Sequence, residues 1–128
     1  TGPYIIYTAV RIQSIVNKFM EKNPELGLDM TDKKALQLPG SETERSLMLT
    51  IAQFNQIIES SYLDYEPHRI CQFIYELSNE LNRFYHENKI ITEPDPIRQQ
   101  SWIGLIRLAR EILVTCLDLL GIEVPDRM

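Results

Sequence analysis

Four side chains near the start of the chain have types and spacing that suit contact with unpaired nucleotides. They are Tyr4, Tyr7, Arg11 and Lys18. At about 100° per residue they share one face of a helix. Tyrosine rings can stack on bases and cations can contact phosphates, which is how single-stranded RNA loops are usually held. The alternative is that the tyrosines pack against a neighbouring domain and the cations are only solvated. The pattern alone favours this alternative.

Motifs that would indicate an enzyme do not occur in the sequence. It contains no Gly-rich phosphate loop, no nucleophile elbow and no HExxH sequence. His68 and His86 fall at opposite ends of one predicted helix. We expect solvated or capping roles for both, because no Ser, Cys or second His is placed to work with either one. We therefore predict no catalytic residue, no metal ligands and no cofactor within this chain.

The charge balance restricts how the chain could bind a nucleic acid. Its formal net charge is −5 and its pI is about 5.0. A free-standing nucleic-acid binder usually has a basic excess, because phosphate neutralisation supplies much of its affinity. RNA binding would therefore require a local basic patch and would be weak without a larger body. We expect no DNA partner.

The cysteines and the start of the chain suggest a cytoplasmic setting. Cys71 and Cys116 each lie in a helical pattern, so we predict buried free thiols rather than a disulfide framework or a zinc site. No apolar run approaches the ~18–20 residues of a membrane span, so no membrane partner is expected. The chain opens on Thr1 without a targeting pattern. We interpret residues 1–128 as a single domain excised from a longer protein.

Hydrophobic periodicity predicts an all-α bundle of four main helices. Pro3, Pro67 and Pro96 stand at plausible first positions of three of them. Ser41 and Glu44 form a capping box before the other one, after a polar loop at residues 23–40. The predicted core seam of the first helix is Ile5, Ala9, Ile12, Val16, Phe19 and Met20, and that of the second is Leu47, Ile51, Phe54, Ile58 and Tyr62.

The last two helices carry the strongest apolar patterns. The third has Ile70, Phe73, Ile74, Leu77, Leu81 and Phe84 on one face. The last helix, capped by Asp95 and stopped at Gly121, is apolar over more than half of its circumference. A helix of this kind is expected inside the bundle rather than at its rim.

Three stretches, taken in order, resemble one family. Residues 1–12, TGPYIIYTAVRI, are similar to the TGxYxQYAxxR segment that opens the anticodon-binding (DALR-type) domain of arginyl-tRNA synthetases. Residues 66–85 are similar to that family's EP-x-x-I…LA…FxxFY run. Residues 119–128, LLGIEVPDRM, resemble its LLGIxxPERM terminus. The resemblance covers the chain end to end, apart from residues 21–40.

The resemblance implies an all-helical domain that lies beside a catalytic domain and binds the anticodon arm of the tRNA for arginine. The parent would attach arginine to that tRNA using ATP with magnesium, through HIGH-like and KMSKS-like sequences that belong upstream. The residues that it implies for tRNA binding are Arg11, Lys18, Tyr85 and Met128, with Tyr4 and Tyr7 also matching the pattern. Tyr85 would hold the middle anticodon cytosine, and the carboxylate of Met128 would accept from its amino group.

The sequence departs from the family pattern at four positions. They are Ile6, Asn17, Asn55 and Trp102. Asn17 replaces a basic residue and so removes one expected phosphate contact. The other three changes are interpreted as variation in packing. A helical protein-interaction bundle without RNA binding remains the alternative function, and it would not bring Arg11, Lys18 and Tyr85 together with the terminus.

Overall fold

The computed structural model describes residues 2–25, 38–64 and 66–127, with the side chains of Tyr62 and Asp64 excepted. Its helices are α1 (Gly2–Lys22), α2 (Glu42–Ala52), α3 (Phe54–Asp64), α4 (Pro67–Glu87) and α5 (Pro96–Leu119). These described ranges contain no strand. The predicted all-α class is therefore confirmed. Of the predicted loop, residues 26–37 lie outside the described residues.

The predicted second helix is divided at Gln53 into α2 and α3. The Gln53 N–H donates to the carbonyl of Thr50 at 3.1 Å, three residues back, which is tighter than α-helical spacing. Its own carbonyl accepts from the N–H of Ile57 at 3.0 Å and so begins the next helix. A change confined to one residue leaves the apolar period almost intact, and for this reason the sequence pattern predicts one helix.

The core lies between α1, α4 and α5, with Leu47 added from α2. The predicted seams of α1 and α4 are buried, except that Met20 is only partly buried. Helix α5 buries residues around most of its girth, as its sequence predicts. The α2–α3 pair contributes less: Ile51, Phe54 and Ile58 are only partly buried. These two short helices therefore form the rim of the bundle.

The capping box before α2 also ties that helix to α5. The Oγ of Ser41 accepts from the N–H of Glu44 at 3.3 Å, and Glu44 Oε1 accepts from the N–H of Gly40 at 3.2 Å. The same Oε1 accepts from Trp102 Nε1 at 3.1 Å. Glu44 is 4% exposed, so its carboxylate is buried but satisfied. Trp102, a departure from the family pattern, is thus held by a cap that the sequence already predicts.

Both ends of α5 follow the prediction. Asp95 Oδ1 accepts from the N–H of Ile97 at 3.0 Å, and Pro96 is the first helical residue. At the other end Gly121 has φ +79°, a left-handed conformation that favours glycine. The N–H of Ile122 donates to Leu117 at 2.8 Å and that of Gly121 to Asp118 at 2.9 Å, which is the Schellman arrangement.

The prediction that both thiols are buried is wrong for one of them. Cys116 is buried, but Cys71 is exposed, and both are free. Helix α4 buries Ile70, Ile74 and Leu77, and Cys71 lies about 100° around the helix from Ile70. That rotation takes its side chain out of the buried seam. The sequence pattern does not separate Cys71 from the core, because a small apolar side chain next to a buried seam looks like part of that seam.

The difference in exposure between Cys71 and Cys116 predicts selective labelling of the native protein at pH 8. Iodoacetamide should modify Cys71 alone, because burial shields Cys116 and raises its pKa to about 11, which keeps the thiolate scarce. Mass spectrometry should find one modified cysteine in buffer and two in denaturant. In the Cys71→Ser variant the native protein should take up no label. Rapid native labelling of Cys116 would mean that the α5 packing opens readily.

Candidate nucleic-acid interface

Helices α1 and α4 run in the same direction and meet through a polar seam. The hydroxyl of Tyr4 donates to Asn79 Oδ1 at 2.7 Å and accepts from Asn82 Nδ2 at 3.0 Å. Asn82 also donates to the hydroxyl of Thr8 at 3.0 Å. The Tyr4 ring meets Tyr75 edge-on, with centroids 5.9 Å apart. Tyr4 is therefore engaged in holding the two helices together, and its hydroxyl is not free for a ligand.

One helical turn further along, the seam brings Arg11 onto Tyr85. The guanidinium carbon of Arg11 lies 4.5 Å from the centroid of the Tyr85 ring, within cation–π range. Both side chains are half-buried. The contact fixes the arginine over one face of the ring and gives the ring a positively charged neighbour. Two residues that are 74 positions apart in the chain thus form one unit.

A cleft of about 300 Å³ opens beside the Tyr85 ring. Its lining is Tyr85, His86, Lys89, Ile90, Ile91 and Thr92. Ile90 is buried and closes the bottom, whereas His86 and Lys89 are exposed. A volume near 300 Å³ is at the lower end of the range for ligand pockets. The cleft combines one aromatic wall, an apolar floor and a cation at its edge, which suits a flat heterocycle attached to a phosphate.

Lys18 and Tyr7 lie on the same side of α1 as Arg11 and point to solvent. Tyr7 is 52% exposed, and Lys18 is also exposed. Lys18 follows Arg11 by two helical turns, or about 10 Å along the axis. Because the α1–α4 register pairs residue 11 with residue 85, Lys18 lies beyond the level at which α4 ends, at Glu87. The structure therefore brings Arg11 and Tyr85 into contact and aligns Lys18 and Tyr7 beside them.

The end of the chain passes along the other edge of the exposed face of α1. Asp126 and Arg127 line a second cleft together with Val10, Gln13, Ser14 and Asn17. Met128, the predicted terminal contact, lies outside the described residues. Asn17, where the family pattern has a cation, accepts from Gln13 Nε2 at 2.8 Å. The loss of charge at that position is replaced by a neutral side-chain pair on the helix surface.

Of the six residues that line this cleft, the sequence assigned only Tyr85 to the site, and the polar ones that it missed include Lys89 and His86. Lys89 lies two residues beyond the end of α4 at Glu87. It was missed because the predicted helix was expected to break at Asn88. His86 is exposed, as its interpretation as a solvated residue requires, yet it also borders the cleft. Because the backbone at Asn88 is extended, no helical pattern in the sequence places Lys89 at the cleft.

The described residues contain no group of three or more His, Cys, Asp or Glu side chains that could hold a metal ion. Within the same ranges no helix is long and apolar enough to cross a membrane. What this surface offers is a cation and an aromatic ring beside a small cleft.

Comparison with known proteins gives consistent similarities. Residues 5–128 match the family model described as DALR anticodon binding domain. The chain is 46% identical over 128 residues to the arginine–tRNA ligase of Alkaliphilus oremlandii, and 46% identical over 129 residues to that of Agathobacter rectalis. All of the chain aligns, but it spans about a fifth (21%) of each relative. It also superposes on Thermus thermophilus arginyl-tRNA synthetase with a TM-score of 0.77 at 27% identity, covering 100% of this chain and 21% of that one.

Proposed function

The chain belongs to the DALR anticodon binding domain family, and we propose that it binds the anticodon arm of the tRNA for arginine as the recognition domain of an arginine–tRNA ligase. The proposal is supported by the relatives, which carry that ligase name. The single observation that carries it at the level of residues is the Arg11–Tyr85 pair beside an open cleft.

The geometry supports separate contacts to an RNA base and to the phosphates that flank it. An anticodon base that leaves the loop stack would enter the cleft and lie against the ring of Tyr85. Arg11 and Lys18 would hold the phosphates on either side of it. Lys89, at the edge of the cleft, is a further phosphate contact. The base would be the middle anticodon cytosine, and the carboxylate of Met128 would accept from its amino group.

The rest of the ligase would supply the chemistry. The 128 residues contain neither a HIGH-like nor a KMSKS-like sequence, so ATP and magnesium would bind in the remainder of the parent protein. This domain by itself would catalyse nothing, and its second partner would be the catalytic domain of the same chain. The parent would work in the cytoplasm.

An NMR titration with an arginine-type anticodon stem-loop at low salt tests this function. Backbone amide shifts should centre on residues 11, 85, 89 and 128. The control RNA differs only in its middle anticodon cytosine and should give smaller shifts at residues 85 and 128. Equal shifts for both RNAs would mean phosphate contact without base recognition. No shifts with the domain or with the full-length parent would favour a helical protein-interaction bundle.

The Arg11→Ala variant should bind the stem-loop roughly three- to tenfold more weakly, whatever the middle base. The reason is that it loses a phosphate contact that carries no sequence information. The salt dependence of log Kd should also become shallower by about 0.7. Fluorescence anisotropy at several salt concentrations measures both effects.

Arg45→Ala is the matched control for that variant. Arg45 is exposed on α2 and belongs neither to the Arg11–Tyr85 pair nor to the lining of the cleft, so its removal takes away the same charge without removing a proposed contact. Equal losses of affinity for the two variants would show that Arg11 acts only through net charge.

A further inference from the structure

A third cleft, between α1 and α5, contains two arginines that the proposed anticodon contacts do not use. It has a volume of about 310 Å³ and is lined by Gln13, Arg107, Arg110, Glu111, Val114 and Thr115. We call it the α1–α5 groove. Arg107 and Arg110 lie on the polar side of α5, whose other side is buried in the core. Two guanidinium groups in one concave site make it a candidate for binding an anion.

The donors of these arginines are only partly satisfied by the protein. Arg107 Nη1 is buried and has no hydrogen-bond partner in the described structure. An unsatisfied buried donor costs free energy, so a turn of the half-buried Arg107 side chain that brings Nη1 to an acceptor in the groove would be favoured. Arg110 donates through Nε to the carbonyl of Ala9 at 2.9 Å, which anchors its guanidinium at the edge of α1. The anchored group directs its remaining donors as a planar fork.

The charges around the groove leave a local positive excess. Burial lowers the pKa of Arg110, while the nearby charge of Asp126 raises it. Gln13 lines both this groove and the adjacent cleft that contains Asp126 and Arg127. The two adjoining clefts therefore hold three arginines against the carboxylates of Glu111 and Asp126. The chain as a whole has a net charge of −5, so this positive excess is confined to a local part of the surface.

The groove lies across α1 from the Arg11–Tyr85 pair. Gln13 and Arg11 project about 200° apart around α1, one towards α5 and the other towards α4. The exposed face between them carries Tyr7, Ser14 and Lys18. A helix is about 10 Å across, and a stacked strand advances about 3.4 Å per nucleotide. Roughly three nucleotides passing over this exposed face would therefore connect the two sites.

We propose that the α1–α5 groove binds phosphates of the same RNA strand whose base lies at Tyr85, with Arg107 and Arg110 as the contacts. This inference rests on the proposed function. It adds a second backbone site on the far side of α1, and so explains how an acidic domain could hold RNA through two local patches. An acidic protein segment would also suit the arginines, but the exposed face of α1 joins the groove to the side that carries Arg11, and this connection favours RNA.

The test uses Arg107→Gln, because Arg110 also has a structural bond to α1. Binding of the anticodon stem-loop should weaken roughly five- to tenfold, equally for the RNA with the altered middle base, and the salt slope should fall by about 0.7. The matched control is Arg98→Gln, which removes the same charge from an exposed position on the same helix. It should change the affinity less than about twofold. Equal effects of the two variants would overturn the proposal.

A variant that is expected to strengthen RNA binding separates an effect at the groove from a loss of folding stability, since a destabilised domain would not bind more tightly. Asp126→Asn should tighten RNA binding roughly two- to threefold, because it removes a carboxylate whose charge acts on Arg110. Glu59→Gln, an exposed position on α3, removes the same charge far from the groove and should do less. No gain from Asp126→Asn relative to Glu59→Gln would overturn the assignment of the groove.

A titration with inorganic phosphate distinguishes a failure of the groove proposal from a failure of the proposed anticodon-binding function. Side-chain Nε–H resonances of Arg107 and Arg110 should shift with phosphate, whereas that of Arg98 should not. If the wild type binds the stem-loop and prefers the middle cytosine while Arg107→Gln matches Arg98→Gln, the groove proposal fails and the function stands. If the wild type binds phosphate in the groove but no RNA, in the domain or in the full-length parent, both proposals fail. Absence of phosphate shifts at both arginines would overturn the groove as an anion site.

Discussion

Replacing Phe84 by alanine should lower the free energy of unfolding by about 3–5 kcal/mol, the largest effect that we expect from a single change in this domain. Phe84 is fully buried and meets Trp102 edge-on, with ring centroids 5.9 Å apart. The substitution removes the ring and leaves a cavity among α2, α4 and α5. It also withdraws support from Trp102, whose indole N–H is bonded to the carboxylate of the α2 capping box. Small domains have only about 5–15 kcal/mol of stability, so the variant should be barely folded.

Urea denaturation followed by circular dichroism measures this loss. The matched comparison is Tyr85→Ala, one residue further along the same helix. Tyr85 is half-buried and would lose its contact with Arg11, worth about 0.5–1 kcal/mol, together with part of its apolar burial. A loss below about 1 kcal/mol for Phe84→Ala would show that the contact between α4 and α5 is loosely packed.

Neighbouring residues with opposite roles illustrate what helical periodicity can predict. Phe84 belongs to the apolar seam of α4, and its burial follows from spacing alone. The seams of α1 and α5 follow in the same way, as do the caps at Ser41 and Asp95 and the stop at Gly121. These features depend on residues within one or two turns of each other, and such local information is contained in the sequence.

The features that the sequence did not predict depend on single residues or on distant elements. The break at Gln53 leaves the apolar period nearly unchanged, and Cys71 lies only one residue from a buried position. The contact between Arg11 and Tyr85 joins two helices, so no periodicity within either helix predicts it. Tyr85 was assigned by resemblance to a family, whereas the α1–α5 groove follows from neither source, since Arg107 is merely polar in its own helix.

The structure also reconciles the acidic balance with an RNA-binding surface. Average charge describes the whole chain, whereas an RNA strand responds to the field near its own phosphates, within about a Debye length of 10 Å. Arg11 and Lys18 lie on one side of the exposed face of α1, and Arg110 lies on the other. Negative charge elsewhere would weaken non-specific binding more than binding at this face, and would thereby favour correctly placed RNA.

Tyr85→Ala should weaken binding of the arginine-type stem-loop by about 1–3 kcal/mol, because it removes the ring on which the anticodon base would stack. It also leaves Arg11 without the ring that positions its guanidinium. Discrimination between the stem-loop and its altered-base counterpart should shrink as well, in contrast to Arg11→Ala, which should weaken both RNAs alike. Fluorescence anisotropy with both RNAs measures affinity and discrimination together, after chemical denaturation has shown that the variant remains folded.

Two further substitutions decide whether the loss of RNA affinity in Tyr85→Ala is due to the loss of base stacking. Tyr85→Phe keeps the ring and should retain most of the affinity, because stacking needs the aromatic face and not the hydroxyl. Tyr75→Ala removes another exposed tyrosine from the same helix, at 41% exposure, and should leave RNA affinity nearly unchanged. If Tyr85→Phe loses as much as Tyr85→Ala, the hydroxyl and not the ring contacts the RNA. If Tyr85→Ala binds both RNAs as the wild type does, the cleft beside Tyr85 is not the anticodon site, and base recognition must lie elsewhere on the exposed face of α1.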